Sequence, residues 1–273
     1  MNATGQGSYK IGEAQFRDVT TELERLRIQA DALWPQELPV LRRHGLRDGA
    51  RILEAGCGPG FVTRLLLESL PSATVTCLDL DETMLAHARA HVREPDRVHF
   101  VEAGAAQSGL ADDSFDLVLA RFLLQHVPSV DDVLAEFRRL LTGGGRVIVV
   151  DADFAFSTLI EPEPEFAPHL LAAVMESQRR LGGDPHIGRK LPRLLQEAGF
   201  SDVAVDAVVS HSVVVGRAAI RGIIPDQAID HLEAAGLLSR ELAGEARSYL
   251  ARIDSGEQHF EGMEAALIVS GAA

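Results

Sequence analysis

The sequence predicts an α/β fold: a doubly wound parallel sheet with helices on both faces, joined to a mainly helical cap. Three observations predict it. From Arg51 to Asp151, short apolar stretches alternate with amphipathic ones. The short stretches are continuously apolar, as strands buried on both faces are. After Asp151 the alternation breaks, and helix-forming segments intervene before a last apolar stretch, "EAALIVSG".

The elements follow in order. Residues 1–15 are polar and glycine-rich. From about Asp18 to Trp34, Val19, Leu23, Leu26, Ala30 and Leu33 recur at helical spacing. Pro35 is expected to end that helix, with a second short one running to about His44 and a turn at "GLRDGA". Strands are expected at Arg51–Ala55, Ala73–Asp79, Val98–Glu102, Phe115–Ala120 and Arg146–Asp151. Between them lie helices near Phe61–Ser69, Glu82–His91 and Val130–Leu141. Beyond Asp151 come a helix near Ala167–Leu181, the helix "KLPRLLQEAGF", a β-rich run "DVAVDAVVSHSVVV", and helical segments near 217–234 and 238–253. Ligands of such sheets bind outside the carboxyl ends of the strands.

Composition narrows the function. The chain has 273 residues, long enough for one large domain with a cap. Its net charge of -14, from 26 basic and 40 acidic residues, argues against nucleic acid as substrate, because phosphate affinity needs clustered Lys and Arg. No uncharged apolar run reaches the roughly 18 residues of a spanning helix. "MNATGQGSYKIGEAQF" lacks the apolar core of a signal peptide. Cys57 and Cys77 stand in no metal-ligand spacing and read as buried free thiols. A cytoplasmic protein acting on a small molecule, without metal, nucleic acid or membrane partner, is the simplest reading, and a homodimer is compatible with it.

The sharpest motif is "ILEAGCGPGFV", an apolar strand, a glycine turn and a helix start. A dinucleotide turn needs G-x-G-x-x-G. Gly56 and Gly58 fit, but Phe61 holds the third position, and the spacing is Gly56, Gly58, Gly60. Pro59 removes a backbone N–H from the turn, and no Gly-Lys-Ser/Thr ending follows, so the turn is poorly made for a polyphosphate. Two acids frame it. Glu54 closes the first strand and can orient the turn or meet a ligand ammonium, directly or through water. Asp79 closes the second, where an acid accepts hydrogen bonds from both ribose hydroxyls. A ribose plus a zwitterionic amino acid describes S-adenosylmethionine.

With these residues in place, the chain resembles the class I S-adenosylmethionine-dependent methyltransferases, closest to the small-molecule enzymes of the methyltransferase type 11 kind. The matching stretches are "ILEAGCGPG", "VTCLDLDETMLAHARA", "GLADDSFDLVLARFLLQHVPSVDDVLAEFRRLLTGGGRVIVVDAD" and "IGRKLPRLLQEAGF", spanning about Arg51 to Phe200 in order. The resemblance implies a Rossmann-like seven-stranded sheet ending in an antiparallel pair, roughly Val203–Val215 and Glu264–Ser270. It implies Glu54, Gly56, Gly58 and Gly60 as the glycine motif, Asp79 as the ribose acid, Leu80 against the adenine and Met84 near the same pocket. Similar enzymes often carry a Gly-Asp-Ala stretch whose Asp holds the adenine amino group. Here Ala105 stands in its place, leaving the backbone of Ala105 and Ala106, or the side chain of Gln107, to hold the adenine. The domain expectation is a lid at 1–45, a cofactor-binding core at 46–154, a cap insertion at 155–195, and completion of the sheet at 196–273 with a helical insertion at 216–255.

Methyl transfer is an in-line displacement at a sulfonium carbon, so the protein chiefly positions the nucleophile and excludes water. Arg121, after the fourth strand, is a candidate clamp for a carboxylate of substrate or cofactor; a strand-end salt bridge is the plainer alternative. His126 is the candidate base, against a packing role before Val127–Pro128, with Gln125 beside it as a substrate contact. Arg25 and Gln29 share a helix face, and the "E..RL..Q" pattern of Glu22, Arg25, Leu26 and Gln29 is similar to a helix that folds over the cofactor. Tyr9, Asp153 and His186 are further substrate-contact candidates. The expected activity is O- or C-methylation of a small, partly apolar molecule in secondary metabolism. The alternative is a cofactor-binding protein that uses the fold for non-methylating chemistry, such as cyclisation, or as a scaffold.

Overall fold

A computed structural model describes residues 18–156, 158–222 and 226–273. The described part of the chain opens with α1 (Val19–Arg43), whose first N–H groups are met by the Asp18 carboxylate, which accepts from Thr20 and Thr21. The alternating region follows: β1 (Arg51–Ala55), α2 (Phe61–Ser69), β2 (Thr74–Asp79), α3 (Glu82–His91), β3 (Val98–Glu102) and β4 (Phe115–Arg121). A 3₁₀ turn (Leu124–His126), α4 (Val130–Leu140) and β5 (Leu141–Ala152) complete it. Then come β6 (Thr158–Glu161), α5 (Ala167–Arg180), α6 (Ile187–Glu197), β7 (Ser201–His211), α7 (Ser212–Val215), α8 (Arg217–Arg221), α9 (Asp226–Ala234), α10 (Arg240–Asp254) and β8 (Glu261–Ala272).

Strands β3, β2, β1, β4 and β5 lie side by side, each pair parallel. β8 runs antiparallel beside β5, and β7 pairs with its other edge. β6 continues along β8 past the end of β5, so the described sheet has eight strands rather than seven. The extra strand comes from a stretch expected to be cap.

Successive strand residues face opposite sides of the sheet. Ile52, Val75, Leu117 and Ile148 meet Trp34 and Leu41 of α1 and Leu66 of α2. Leu53, Leu78, Val118, Val147 and Val269 meet Phe137 of α4 and Leu191 and Leu195 of α6. A third apolar cluster joins α5, α9 and α10 through Phe166, Leu170, Ile229, Leu232, Ala243, Ala246 and Tyr249. Among the described residues, no helix is long and apolar enough to cross a membrane.

Three expectations change. Pro35 does not end the first helix: α1 continues through Pro35 and Pro39. Leu33 and Trp34 before the proline and Val40 and Leu41 after it are all buried. That packing outweighs the roughly 3 kcal/mol that a mid-helix proline costs. The β-rich run to Val215 stops at His211, whose ring nitrogen accepts from the Val213 N–H and starts α7. Val213 and Val214 consequently lie exposed rather than in the sheet. Finally, α6 is not cap: its Ile187, Leu191 and Leu195 fill the core against the sheet.

Candidate functional site

The carboxyl ends of β1, β2 and β4 open on a cavity of about 1200 Å³. Strand order reverses at β1, with β2 and β3 on one side and β4 and β5 on the other, which leaves a crevice at the switch.

The glycine turn between β1 and α2 forms the floor. Gly58 has φ +54, and a Cβ built on it would find no atom within 4 Å, so its face is free for a ligand. Gly56 also lines the cavity. Gly60 does not, contrary to expectation. A Cβ there would lie 2.9 Å from the Ala88 Cβ of α3, so this glycine lets the turn close on that helix.

Asp79, at the end of β2, is held from two sides. One carboxylate oxygen accepts from the Gly58 N–H at 2.8 Å and the other from the Asp81 N–H at 2.9 Å. Each oxygen keeps a second lone pair for a ligand donor. Burial raises its pKa, against the pull of those N–H groups. Beside it Leu80, 48% exposed, lies at the cavity edge, while Met84 is buried in the wall. Ala105 and Ala106 line the same side. Gln107 does not: it is exposed, and its N–H closes a turn onto the Gly104 carbonyl at 3.0 Å. Of the residues expected to hold an adenine, Ala105 and Ala106 line the cavity and Gln107 does not.

Glu54 is buried at the end of β1 and accepts from the Thr63 hydroxyl at 2.6 Å. Burial pushes its carboxyl up to about 8, outweighing the Thr63 bond and the charge of Arg121. Arg121 lines the cavity, but its fork is committed. Nε and Nη2 donate to the two oxygens of the buried Glu37 at 2.8 and 2.9 Å, and the guanidinium packs over Phe122. The strand-end salt bridge is therefore what the structure contains. Arg25 likewise donates to both oxygens of Glu22 at 2.8 and 2.6 Å. Both Arg25 and Gln29 reach the cavity from α1.

His126 lines the cavity from the 3₁₀ turn. Burial, with the charge of Arg25, lowers it to about 4, so its imidazole is neutral at neutral pH. Gln125 is tied to the cap: its carbonyl accepts from the Asp184 N–H at 2.9 Å and from the Gln178 amide at 3.0 Å. The Gln125 side-chain oxygen accepts from the same Gln178 amide at 3.2 Å. The cap wall is otherwise mainly apolar, with Leu170, Leu171, Val174, Leu232 and Leu250, and carries a Ser177–His231 hydrogen bond of 3.3 Å.

Asp153 and His186 are not in the cavity wall. Ala152, Phe154 and Ala155 line it, and Asp153, one residue past the end of β5, does not. The Asp153 carboxylate takes both Nε and Nη2 of Arg189, the latter at 2.7 Å, and the His186 ring at 3.2 Å. This network fixes the start of α6. Tyr9 lies outside the described residues. The sequence reading missed Glu37, Thr63, Gln178, His231 and Glu264. Of these, Glu264 carries a local signal, an acid at the head of an apolar strand.

Residues 53–149 match the family described as methyltransferase domain. A ubiquinone/menaquinone biosynthesis C-methyltransferase, UbiE, of Paracoccus denitrificans is 36% identical over 108 residues, which are 38% of this chain and 43% of that protein. A malonyl-[acyl-carrier protein] O-methyltransferase of Enterobacter lignolyticus is 34% identical over 178 residues, 65% of this chain and 61% of that protein. Residues 53–149 therefore carry a methyltransferase domain of the class I S-adenosylmethionine-dependent kind. The chain spans about half the length of the curated relatives it matches, 43% and 61% in these two cases. Phosphoethanolamine N-methyltransferase 2 of Haemonchus contortus, solved with S-adenosyl-L-methionine, has the same fold at a TM-score of 0.54 and 22% identity, over 87% of this chain and 52% of that one.

S-adenosylmethionine is the cofactor of these methyltransferases, and the residues present fit it. The Gly58 face is open, Asp79 has lone pairs to spare for two ribose hydroxyls, and Leu80 offers an uncovered apolar surface to a base. A polyphosphate fits poorly: among the described lining residues, the only arginines or lysines are Arg25 and Arg121, each already forked onto a glutamate.

Proposed function

We propose that the protein transfers the methyl group of S-adenosylmethionine to a small, partly apolar molecule of secondary metabolism, at oxygen or carbon. One observation carries this reading: a single cavity runs from the glycine turn and Asp79 to the apolar cap wall of α5, α9 and α10. A cofactor seated on the turn and an acceptor seated under the cap would share that space. The C- and O-methyltransferase names of the relatives support carbon and oxygen as acceptor atoms.

When bound, the cofactor supplies an electrophilic methyl group. In this reading Asp79 takes the ribose hydroxyls, Gly56 and Gly58 let the backbone approach the ligand, Leu80 and Met84 contact the adenine, and Ala105 and Ala106 border it. Glu54 and Gln29 face the amino-acid end. The cap residues hold the acceptor and exclude water, which is the protein's main contribution to an in-line displacement. In this reading His126, neutral at neutral pH, accepts a proton from a hydroxyl or acidic carbon.

The test is incubation of the protein with cofactor labelled in the methyl group and a metabolite extract. Label in an extractable small molecule, with release of S-adenosylhomocysteine, is the expected result. Tight cofactor binding with no transfer to any compound would overturn the reading.

A further inference from the structure

Glu264 lies on β8, between Thr158 of β6 and Ser210 of β7. It is 8% exposed and lines the cavity. No hydrogen bond holds its carboxyl among the described residues, and its oxygens are not sealed from the cavity. A buried carboxyl without partners is costly to keep unless something enters to meet it. Burial pushes this one up to about 7, with Arg121 and Arg25 pulling down and Glu37 pushing up.

The charges around it decide what can enter. Arg121 is forked onto Glu37 and Arg25 onto Glu22. The described cavity wall holds seven acids, Glu54, Asp79, Asp81, Glu82, Asp132, Glu163 and Glu264, against those two arginines. Glu54, pushed up to about 8, keeps its proton at neutral pH, but the remaining acids of the wall still repel an anionic group, and neither arginine is uncommitted to offset them.

We infer that Glu264 is a substrate-binding residue that meets a hydrogen-bond donor on the acceptor, so that the substrate presents a hydroxyl or amine, and not a carboxylate or phosphate, at this point of the cavity. The inference rests on the proposed methyl transfer for the word substrate, but binding at Glu264 is measurable without turnover. The donor would satisfy the carboxyl, and the apolar cap wall would cover the rest of the molecule.

The experiment uses the full chain saturated with S-adenosylhomocysteine and two probes of one shape, 1-naphthylmethylammonium and 1-naphthoate, titrated by calorimetry. The ammonium is expected to bind at least about tenfold more tightly than the carboxylate. Glu264→Gln should reduce that preference to less than about threefold, Glu264→Asp should retain part of it, and neither should change affinity for S-adenosylhomocysteine. Thermal unfolding confirms that both variants fold. Equal binding of the two probes, or an unchanged preference in Glu264→Gln, overturns the inference. So does weaker S-adenosylhomocysteine binding in Glu264→Gln, which would put Glu264 in the cofactor's site. Label transfer without probe selection sinks this inference alone. Probe selection without label transfer sinks only the methyl-transfer reading.

Discussion

Arg121 and Glu37 form a buried, two-pronged ion pair that fastens α1 to the end of β4. Removing one partner leaves the other charged and unpaired in a low-dielectric site, a loss of about 3–5 kcal/mol. Arg121→Met should therefore lower stability by that order. The double variant Arg121→Met with Glu37→Leu should recover most of it. Denaturant unfolding of the three proteins measures this. If Arg121→Met is as stable as the parent but binds S-adenosylmethionine poorly, Arg121 is a ligand clamp after all.

Asp79→Ala should weaken S-adenosylmethionine binding by roughly 10- to 100-fold, the scale of losing hydrogen bonds to a charged acceptor. Calorimetry gives the comparison directly. An unchanged affinity would refute the ribose assignment.

The glycines of the turn should separate into two kinds. Gly58→Ala places a methyl in open space, so the fold should survive with a loss of about 1 kcal/mol for the positive φ, while cofactor affinity falls. Gly60→Ala drives a methyl against Ala88 and should lower the melting temperature more. Melting curves and cofactor titrations on both variants distinguish the roles. The idea fails if Gly58→Ala binds cofactor normally.

Stability should depend on pH in a direction that the buried acids set. Glu54 titrates at about 8, and Glu264 and Asp151 at about 7, against ordinary values of 4.5 and 3.8. The folded state thus holds protons that the unfolded chain has released. Their contribution is full below the ordinary values and is lost as pH rises, until it levels off past about 8. His126 works the other way. At about 4 in the fold against 6.5, its contribution is full above 6.5 and shrinks as pH falls toward 4. Three groups against one predict a higher melting temperature for the ligand-free protein at pH 5.5 than at pH 8. Glu54→Gln should narrow the difference. Scanning calorimetry across this range checks both statements, and a higher melting temperature at pH 8 contradicts them.

The core was readable because each parallel strand is apolar on both faces, and local pattern reports burial. β1, β3, α2 and α3 begin and end where the pattern places them, whereas β5 starts at Leu141 rather than at the expected Arg146. The pattern could not weigh Pro35 against the packing of Trp34 and Leu41, which depends on α2 and the sheet. Nor could it pair residues across the chain. Glu37 and Arg121 stand 84 positions apart, and neither hints at the other. Asp153 and His186 looked like site residues because they follow a strand end and open a helix. Asp153 stands one residue past the end of β5, where strand alternation no longer says which way a side chain points.

One seam in the molecule bears on how such a protein changes over generations. The inner cap helix α5 is stitched to the 3₁₀ turn by Gln178, and Gln125 also anchors the loop at Asp184. Helices α9 and α10 pack outside that seam, against α5. Side chains such as Ala228, Leu232 and Leu250 border the acceptor space from those outer helices. Mutations there can reshape the chamber while the grip on the cofactor stays as it was. The fold thus keeps the glycine turn and Asp79 on different elements from the outer wall of the chamber.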